Sequence, residues 1–214
     1  MTFRTDRFII AATCNTAKWR AMMARPREFD AAEVLRKAME VFWRNGYEGT
    51  SVVDLVDATG LGKSSLYGAF GGKRELFLAA FDAYRSDRAH DMHQILDHGP
   101  ARDAIETFFR MIVRDAHAPK FSNGCMSINQ AVEMAPHDPE VRERVQGDFQ
   151  YIEDALTRAI ERGQGDGSVS CTRPARDVAR LLVVAFPGLQ VMVRAGYGNE
   201  RLDDALRLLF LNLD

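Results

Sequence analysis

The stretch "GLGKSSLYGAFGGKRELF", residues 60–77, contains two short runs with helical spacing, and each run begins with a glycine followed by a lysine. Glycine is common where one helix ends and the chain changes direction. The stretch therefore predicts a short helix from about Gly62 to Phe70 and a long helix that begins at Lys73. Burial of apolar surface alone would not require two such interruptions, so the arrangement also calls for a functional explanation.

Two more helices are predicted immediately before this stretch. Asp30 can cap a helix that continues to Arg44, because its apolar residues recur at helical spacing on one face. Ser51 can cap a second, short helix, with Asp54 completing a capping box. Gly60 ends that helix after about two turns. The chain thus begins its regular structure with three short helices.

This pattern, with a tight turn between the second and third helices, is typical of a helix-turn-helix. In that motif the helix after the turn enters the major groove of DNA, so its exposed face should be small, polar and cationic. The residues predicted to face outward are Lys63, Ser64, Ser65, Gly68 and Ala69.

Two residues next to this helix are expected to contact the DNA backbone. Lys73 lies in the first turn of the long helix, where backbone N–H groups and a cation together suit a phosphate. Tyr67 follows the buried Leu66, so its hydroxyl can point outward. The alternative is a solvated surface helix with glycine caps, which would leave the agreement of spacing, capping and charge unexplained.

The segment "VLRKAMEVFWRNGYEGTSVVDLVDATGLGKSSLYGAFGGKRELF", residues 34–77, resembles the DNA-binding domain of the tetracycline-repressor (TetR) family. The matching positions are Ala38, Phe42, Gly46, Tyr47, Thr50, Ser51, Gly60, Lys63, Leu66, Tyr67, Phe70, Lys73, Glu75 and Leu76. The resemblance adds Thr50 and Ser51 to the expected DNA contacts. The sequence departs from the family pattern at Gly62 and at Gly68-Ala69. These departures affect which operator sequence the protein recognises, and they do not affect the fold.

The resemblance also implies a domain organisation. Residues 25–72 would form the helix-turn-helix domain and residues 73–214 a helical ligand-binding and dimerisation domain. The composition of residues 1–24 predicts a disordered tail. The arginines and short apolar run of the first 29 residues superficially resemble a secretory leader, but no clean cleavage site follows them. No cofactor is expected.

Composition sets limits on the class of protein. The 214 residues are 46% hydrophobic and 27% charged, a typical globular balance. The longest apolar run, residues 181–189, is shorter than the about 20 residues that span a bilayer. Three cysteines, an odd and sparse set, do not form a disulfide framework and favour a reducing cytoplasm. Since the net charge is −2, any contact with DNA must come from a local basic patch.

Every later segment is also predicted to be helical, so the expected fold class is all-α. The predicted helices cover residues 73–98, 101–117, 125–134, 139–162, 174–195 and 199–213. The last two have apolar faces wide enough to leave surface for a partner pair of helices, which fits the homodimer that the resemblance implies. The alternative is burial of those faces within one chain. Pro187 is expected to kink the helix that contains it.

A small, mostly apolar ligand with one or two hydrogen-bonding groups is expected to bind the C-terminal part. The candidate residues are Phe108, Phe109, Ile112, Cys125, Met126, Asn129, Phe149, Ile152, Phe186 and Gln190. Most of them are equally explained as core.

Cys125 is also a candidate redox sensor. It follows a glycine at the predicted start of a short helix, where the helix dipole would lower the thiol pKa. The resemblance implies the same role, because some regulators of the family sense electrophiles or oxidants through a cysteine at this place. The alternative is a small apolar residue in the wall of the pocket.

Three functions remain open on the sequence alone. The first is a repressor that a small molecule releases from a palindromic operator, the second is a repressor switched by oxidation of Cys125, and the third is a helical bundle that does not bind DNA. No metal site is expected: His90 and His93, with Asp87, have helical spacing but no matching ligands on a second helix. No catalytic motif is recognisable, so we expect no enzyme activity.

Overall fold

The computed structural model describes residues 29–115 and 123–214, so the predicted tail at residues 1–24 lies outside the described residues. Nine α-helices occur in these ranges. They are α1 (Ala31–Asn45), α2 (Val52–Thr59), α3 (Lys63–Phe70), α4 (Lys73–Leu96), α5 (Ala101–Asp115), α6 (Met126–Glu133), α7 (Pro139–Asp166), α8 (Ala175–Arg194) and α9 (Asn199–Phe210). The described ranges contain no strand, and the all-α class is confirmed.

The helix ends differ from the sequence prediction at a few places. Helix α7 is one turn longer than expected, because the helix continues through two glycines, and ends at Gly167 in the left-handed conformation. Helix α9 ends at Phe210, and one 3₁₀ turn, Leu211–Leu213, follows it. Helix α8 continues through Pro187 and is not interrupted there.

Helix α2 has the capping arrangement that the sequence predicts. The Ser51 hydroxyl accepts a hydrogen bond from the Asp54 N–H at 3.1 Å, and the Asp54 carboxylate accepts one from the Ser51 N–H at 2.7 Å. The hydrogen bond from the Ser51 backbone N–H lowers the pKa of the Asp54 carboxyl. At the other end Gly60 has a φ of 74° and donates to the Val56 carbonyl at 2.9 Å. The two caps fix the length of α2 and hence the direction in which the chain enters α3.

An aromatic cluster joins α1 to α4. Phe77 of α4 packs edge-on against Phe42 of α1, with ring centroids 5.3 Å apart, and against Tyr47 at 5.0 Å. Phe81 stacks on Phe77 one turn further along α4. Phe42, Phe77 and Phe81 are wholly buried. Helix α4 is therefore firmly attached to the three-helix unit formed by α1, α2 and α3.

The body of the protein, helices α5 to α9, has one continuous hydrophobic core to which the end of α4 also contributes. Helix α7 packs between α5 and α8, and its residues Leu156 and Ile160 are wholly buried. Phe109 of α5 packs against Phe210 of α9 with ring centroids 6.1 Å apart. The C-terminal helix is thus tied into the same core. Residues 32–214 pack as one compact unit. The division between residues 72 and 73 stays a prediction.

A ladder of ion pairs connects α4 to α7 along one side of the molecule. Three arginines each bridge two carboxylates: Arg74 bridges Asp138 and Glu140, Arg144 bridges Glu140 and Asp82, and Arg85 bridges Asp82 and Asp148. At the far end the Ser127 hydroxyl of α6 donates to Asp148 at 2.6 Å. Arg74 also lowers the pKa of the Glu140 carboxyl by hydrogen bonding to it. The ladder runs from the start of α4 to the start of α6.

None of the helices in the described ranges is both long and apolar enough to cross a membrane.

Gly163 is packed so closely that we expect Gly163→Ala to destabilise the fold. An added Cβ would lie 2.5 Å from Val169 Cγ2 and 2.9 Å from Ala101 Cβ, and both neighbours are buried. Overpacking of this kind lowers the free energy of unfolding by about 1–3 kcal/mol. Gly165→Ala, in the same helix with nothing within 4 Å of its added Cβ, is the matched control and should not lower stability. Urea unfolding of the two variants measures the difference; equal midpoints would contradict the packing described.

Candidate functional site: a nucleic-acid interface and a neighbouring cleft

The outward face of α3 has the character expected of a recognition helix. Lys63, Ser64, Ser65 and Gly68 are exposed, and Leu66 on the opposite side is wholly buried. An added Cβ at Gly68 would meet nothing within 4 Å. The face therefore combines one cation and two hydroxyl groups with a stretch of backbone that no side chain covers.

Two of the residues expected at this interface are not at the surface. Ala69 is buried, because it follows Gly68 on the side of α3 that turns toward the core. Thr50 is also buried, and its hydroxyl donates to the Gly46 carbonyl at 2.6 Å. Thr50 closes the turn after α1, so its contribution is to the turn that precedes α2. Ser51 is exposed and caps α2.

One lysine is the first residue of the recognition helix and another begins α4, and each lies over an aromatic ring. Lys73 Nζ is 4.4 Å from the centroid of the Tyr47 ring, and Lys63 Nζ is 5.8 Å from that of Tyr67. Within residues 29–115 and 123–214 neither lysine has an ion-pair partner. By contrast, the neighbouring Arg74 is turned to the carboxylates of α7. Lys63 and Lys73 are thus cations held in place by rings and free to meet phosphate.

The expected ligand-binding residues are divided between the core and a cleft. Phe109, Met126 and Phe186 are buried and belong to the core. Phe108 is half-buried and stacks on Phe186 from outside that core. Ile112, Phe149 and Ile152 are half-buried and pack against that core. The remaining three candidates, Cys125, Asn129 and Gln190, line one cleft.

This cleft has a volume of roughly 560 Å³ and lies where the end of α1 meets α6 and the end of α8. Trp43 and Arg44 of α1 line one side, and Ile128, Val132 and Arg194 line the other. Sequence reasoning missed these five residues. Trp43 and Arg194 belong to helices that are far apart in the chain, and only the folded structure brings them together.

Polar contacts cross the cleft between the three-helix unit and the body. The Trp43 indole N–H donates to the Gly124 carbonyl at 2.9 Å. The Glu48 N–H donates to the Glu133 carboxylate of α6, also at 2.9 Å. Both ends of helix α6 are therefore hydrogen-bonded to residues at or just after the C-terminal end of α1.

Cys125 occupies the N-cap position of α6, at the helix start that the sequence predicts. The expected lowering of its thiol pKa is wrong. Burial raises the pKa of Cys125 and outweighs the hydrogen bonds from the backbone of Ile128 and from the Tyr84 hydroxyl, which lower it. Tyr84 Oη lies 3.6 Å from the sulfur and itself accepts the Met126 N–H. The thiol is consequently protonated at neutral pH.

We expect Cys125 to react slowly with iodoacetamide at neutral pH, because only the thiolate is nucleophilic. The rate should rise with pH until the pH passes a pKa above the ordinary thiol value. Mass spectrometry of the peptide that contains Cys125, with free cysteine as the reference reaction, measures the rate. Alkylation faster than that of free cysteine at pH 7 would contradict the raised pKa.

No group of three or more His, Cys, Asp or Glu side chains within the described ranges is arranged to hold a metal ion. Both ring nitrogens of His93 are instead hydrogen-bonded within the protein, Nδ1 to the Asp97 carboxylate and Nε2 to the Tyr151 hydroxyl.

Comparison with known proteins assigns the chain to a family. The family model for bacterial regulatory proteins of the tetR family matches residues 34–80, and the tetracyclin repressor-like C-terminal domain matches residues 101–209. The chain belongs to the TetR family. It is a transcriptional regulator with a DNA-binding helix-turn-helix, and the expectation that it is not an enzyme is confirmed.

Relatives within the TetR family cover most of the chain. The HTH-type transcriptional regulator YezE of Bacillus subtilis is 37% identical over 149 residues, which are 69% of this chain and 77% of YezE. The HTH-type transcriptional repressor ComR of Escherichia coli is 28% identical over 193 residues, 89% of this chain and 92% of ComR. A cysteine-substituted form of the TetR regulator CifR, solved with 26 bp of operator DNA, is 28% identical with a TM-score of 0.77. That match covers 87% of this chain and 97% of CifR.

Proposed function

We propose that the protein is a repressor that binds a palindromic operator as a homodimer and is released by a small molecule. The observation that carries the proposal is the exposed face of α3, with Lys63, Ser64, Ser65 and uncovered backbone at Gly68. Such a face fits the major groove, where serine hydroxyls reach base edges and lysine reaches guanine or phosphate. The relatives ComR, a repressor, and CifR, solved on operator DNA, support it. We place the protein in the cytoplasm, with its operator.

The proposed homodimer would form through α8 and α9. Leu181 and Val184 on α8 and Leu208 on α9 are exposed although they are apolar, and Val184 and Leu208 are 76% and 67% exposed. The inward residues that the sequence indicated, Leu182 and Leu206 among them, are buried in the body core. The exposed apolar stripe is therefore additional to the core and suits a second copy of the chain.

Release from DNA would proceed through α4. Its start carries Lys73 and is attached to the three-helix unit by the aromatic cluster, and its end belongs to the body core. In a dimer the two recognition helices must lie about 34–36 Å apart to enter successive major-groove faces. A ligand that tilts α4 changes this distance without unfolding the protein.

The raised pKa of the Cys125 thiol argues against the alternative in which Cys125 is the sensor. We expect Cys125→Ser to bind operator and to keep its response to a reversible ligand. A loss of response to peroxide in this variant alone would restore the redox alternative.

Operator binding can be tested with DNA from upstream of the gene by fluorescence anisotropy at several salt concentrations. We expect Lys73→Ala to weaken binding to operator and to random DNA by similar factors and to reduce the salt slope by about one. Ser65→Ala should instead change the preference among operator variants. Arg158→Ala, an exposed cation of α7 outside the proposed dimer stripe, is the control and should change neither. Unchanged affinity of Lys73→Ala at low and high salt would contradict the phosphate contact.

A further inference from the structure

The cleft between α1, α6 and α8 has the features of a binding site for an organic anion. Its volume of roughly 560 Å³ lies within the range of about 300–1,000 Å³ typical of small-molecule sites. Trp43, Ile128 and Val132 supply apolar wall, and Arg44, Gln190 and Arg194 supply hydrogen-bond donors. Such a combination orients a ligand that has one polar end and one apolar end.

Arg194 is held in place but is not neutralised. Its guanidinium donates to Asn129 Oδ1 at 2.6 Å, and a Cβ added at Gly124 would lie 3.4 Å from its Cδ. Asn129 is itself fixed, because its amide donates to the Asn123 carbonyl at 3.0 Å. A guanidinium has five N–H donors, so most of those of Arg194 remain for a ligand. Neither Arg194 nor Arg44 forms an ion pair within the described ranges.

The one carboxylate of the cleft has other partners. Glu133 accepts the Glu48 N–H at 2.9 Å and the Gln130 amide at 3.1 Å, one on each oxygen. The charged residues among the described lining are two arginines, Arg44 and Arg194, and one glutamate, Glu133. The Gln190 amide has no hydrogen-bond partner in the same part of the chain. The cleft is short of negative charge and of acceptors, which is what a bound carboxylate would supply.

We infer that this cleft binds a small organic carboxylate with a flat apolar body. The carboxylate lies against the guanidinium of Arg194 and the amide of Gln190, and the apolar body packs against Trp43, Ile128 and Val132. The ligand therefore binds at the junction of the three-helix unit and the body. It does not bind among the phenylalanines of the core, where Phe109 and Met126 are wholly buried. Cys125 lines the same cleft as a protonated, weakly polar wall residue.

The position of the cleft gives the ligand a route to the DNA-binding unit. An occupant contacts Trp43 and Arg44 on one side and α6 and α8 on the other, so it binds differently when the three-helix unit moves relative to the body. Its affinity is then coupled to that for operator, and the coupling is reciprocal. This second step rests on the proposed function, whereas binding in the cleft does not.

Calorimetry with 2-naphthoate and its neutral counterpart 2-naphthamide, on the full chain, tests the assignment. We expect 2-naphthoate to bind at least about tenfold more tightly than 2-naphthamide, because only the acid meets the guanidinium with charge. Arg194→Gln should remove that difference and leave binding of the amide unchanged. Arg158→Gln, an exposed cation of α7 outside the cleft and the proposed dimer stripe, is the matched control and should retain it. Circular dichroism confirms that each variant is folded.

The assignment is overturned if 2-naphthoate shows no saturable binding at millimolar concentration, if acid and amide bind equally, or if Arg194→Gln binds the acid like the parent protein. Operator binding measured on the same samples separates the two proposals. Operator binding without binding of 2-naphthoate removes the cleft assignment alone. Binding of 2-naphthoate that depends on Arg194, in a protein that binds no operator, removes the proposed function alone.

Discussion

Val184→Glu is expected to dissociate the proposed homodimer and to weaken operator binding by about 100-fold or more, since a monomer loses the second half-site. Val184 is 76% exposed in the single chain, so the substitution does not disturb the body core. In the dimer it would place a carboxylate within an apolar contact between two copies of α8 and α9. Burial of that unpaired charge opposes association. Analytical ultracentrifugation at micromolar concentration measures the association, and anisotropy measures operator affinity.

Val132→Glu provides the matched control for this experiment. Val132 is 78% exposed, also on a helix, but it lies on α6 and lines the cleft. Its glutamate variant should remain a dimer with the sedimentation coefficient of the parent protein. If Val184→Glu were equally dimeric, the interface would have to be sought elsewhere than on the exposed stripe of α8 and α9.

Gly68→Leu is expected to reduce operator affinity by about 100-fold or more while leaving the fold intact. In the free protein Gly68 is exposed and a Cβ added there meets nothing within 4 Å. A glycine inside an exposed helix costs roughly 0.5–1 kcal/mol relative to alanine, so both leucine and alanine at this position should raise the stability of α3. The loss arises only on DNA, where the leucine side chain occupies the space through which the backbone of α3 approaches the groove.

A graded series separates this explanation from damage to the fold. Gly68→Ala should lower operator affinity less than Gly68→Leu, and both variants should have thermal midpoints at or above that of the parent. A lower midpoint would indicate a structural defect in place of a clash with DNA. Full operator affinity in Gly68→Leu would show that α3 does not approach DNA at this residue.

The three-helix unit was predictable from sequence because its signals are local. The caps at Ser51 and Gly60 act over a few residues, and the apolar spacing of α1 identifies its buried face without reference to the rest of the chain. The outward direction of Ser64 and Ser65 follows from the same periodicity. The prediction that Ala69 faces outward was wrong, because neighbouring helices decide the exposure of a residue at the edge of a short helix.

The cleft was not predictable in the same way, because its chemistry depends on contacts between distant residues. Trp43 and Gly124, which meet across it, are 81 positions apart, and Asn129 and Arg194 are 65 apart. Periodicity also cannot separate a core phenylalanine from one that lines a pocket, which is why Phe109 was a candidate. For Cys125 the sequence indicated its place at the start of α6, but desolvation depends on the helices packed around the thiol.

The indole of Trp43 makes the junction between the three-helix unit and α6 observable with light. Its N–H is bonded to the Gly124 carbonyl, and its ring meets Tyr84 edge-on with centroids 5.1 Å apart. The chain has two tryptophans, and the other, Trp19, lies outside the described residues. In a Trp19→Phe protein all indole emission comes from Trp43. Separation of the two parts would admit water to the ring and shift the emission to the red, so the colour of the protein's own fluorescence follows the junction without an attached dye.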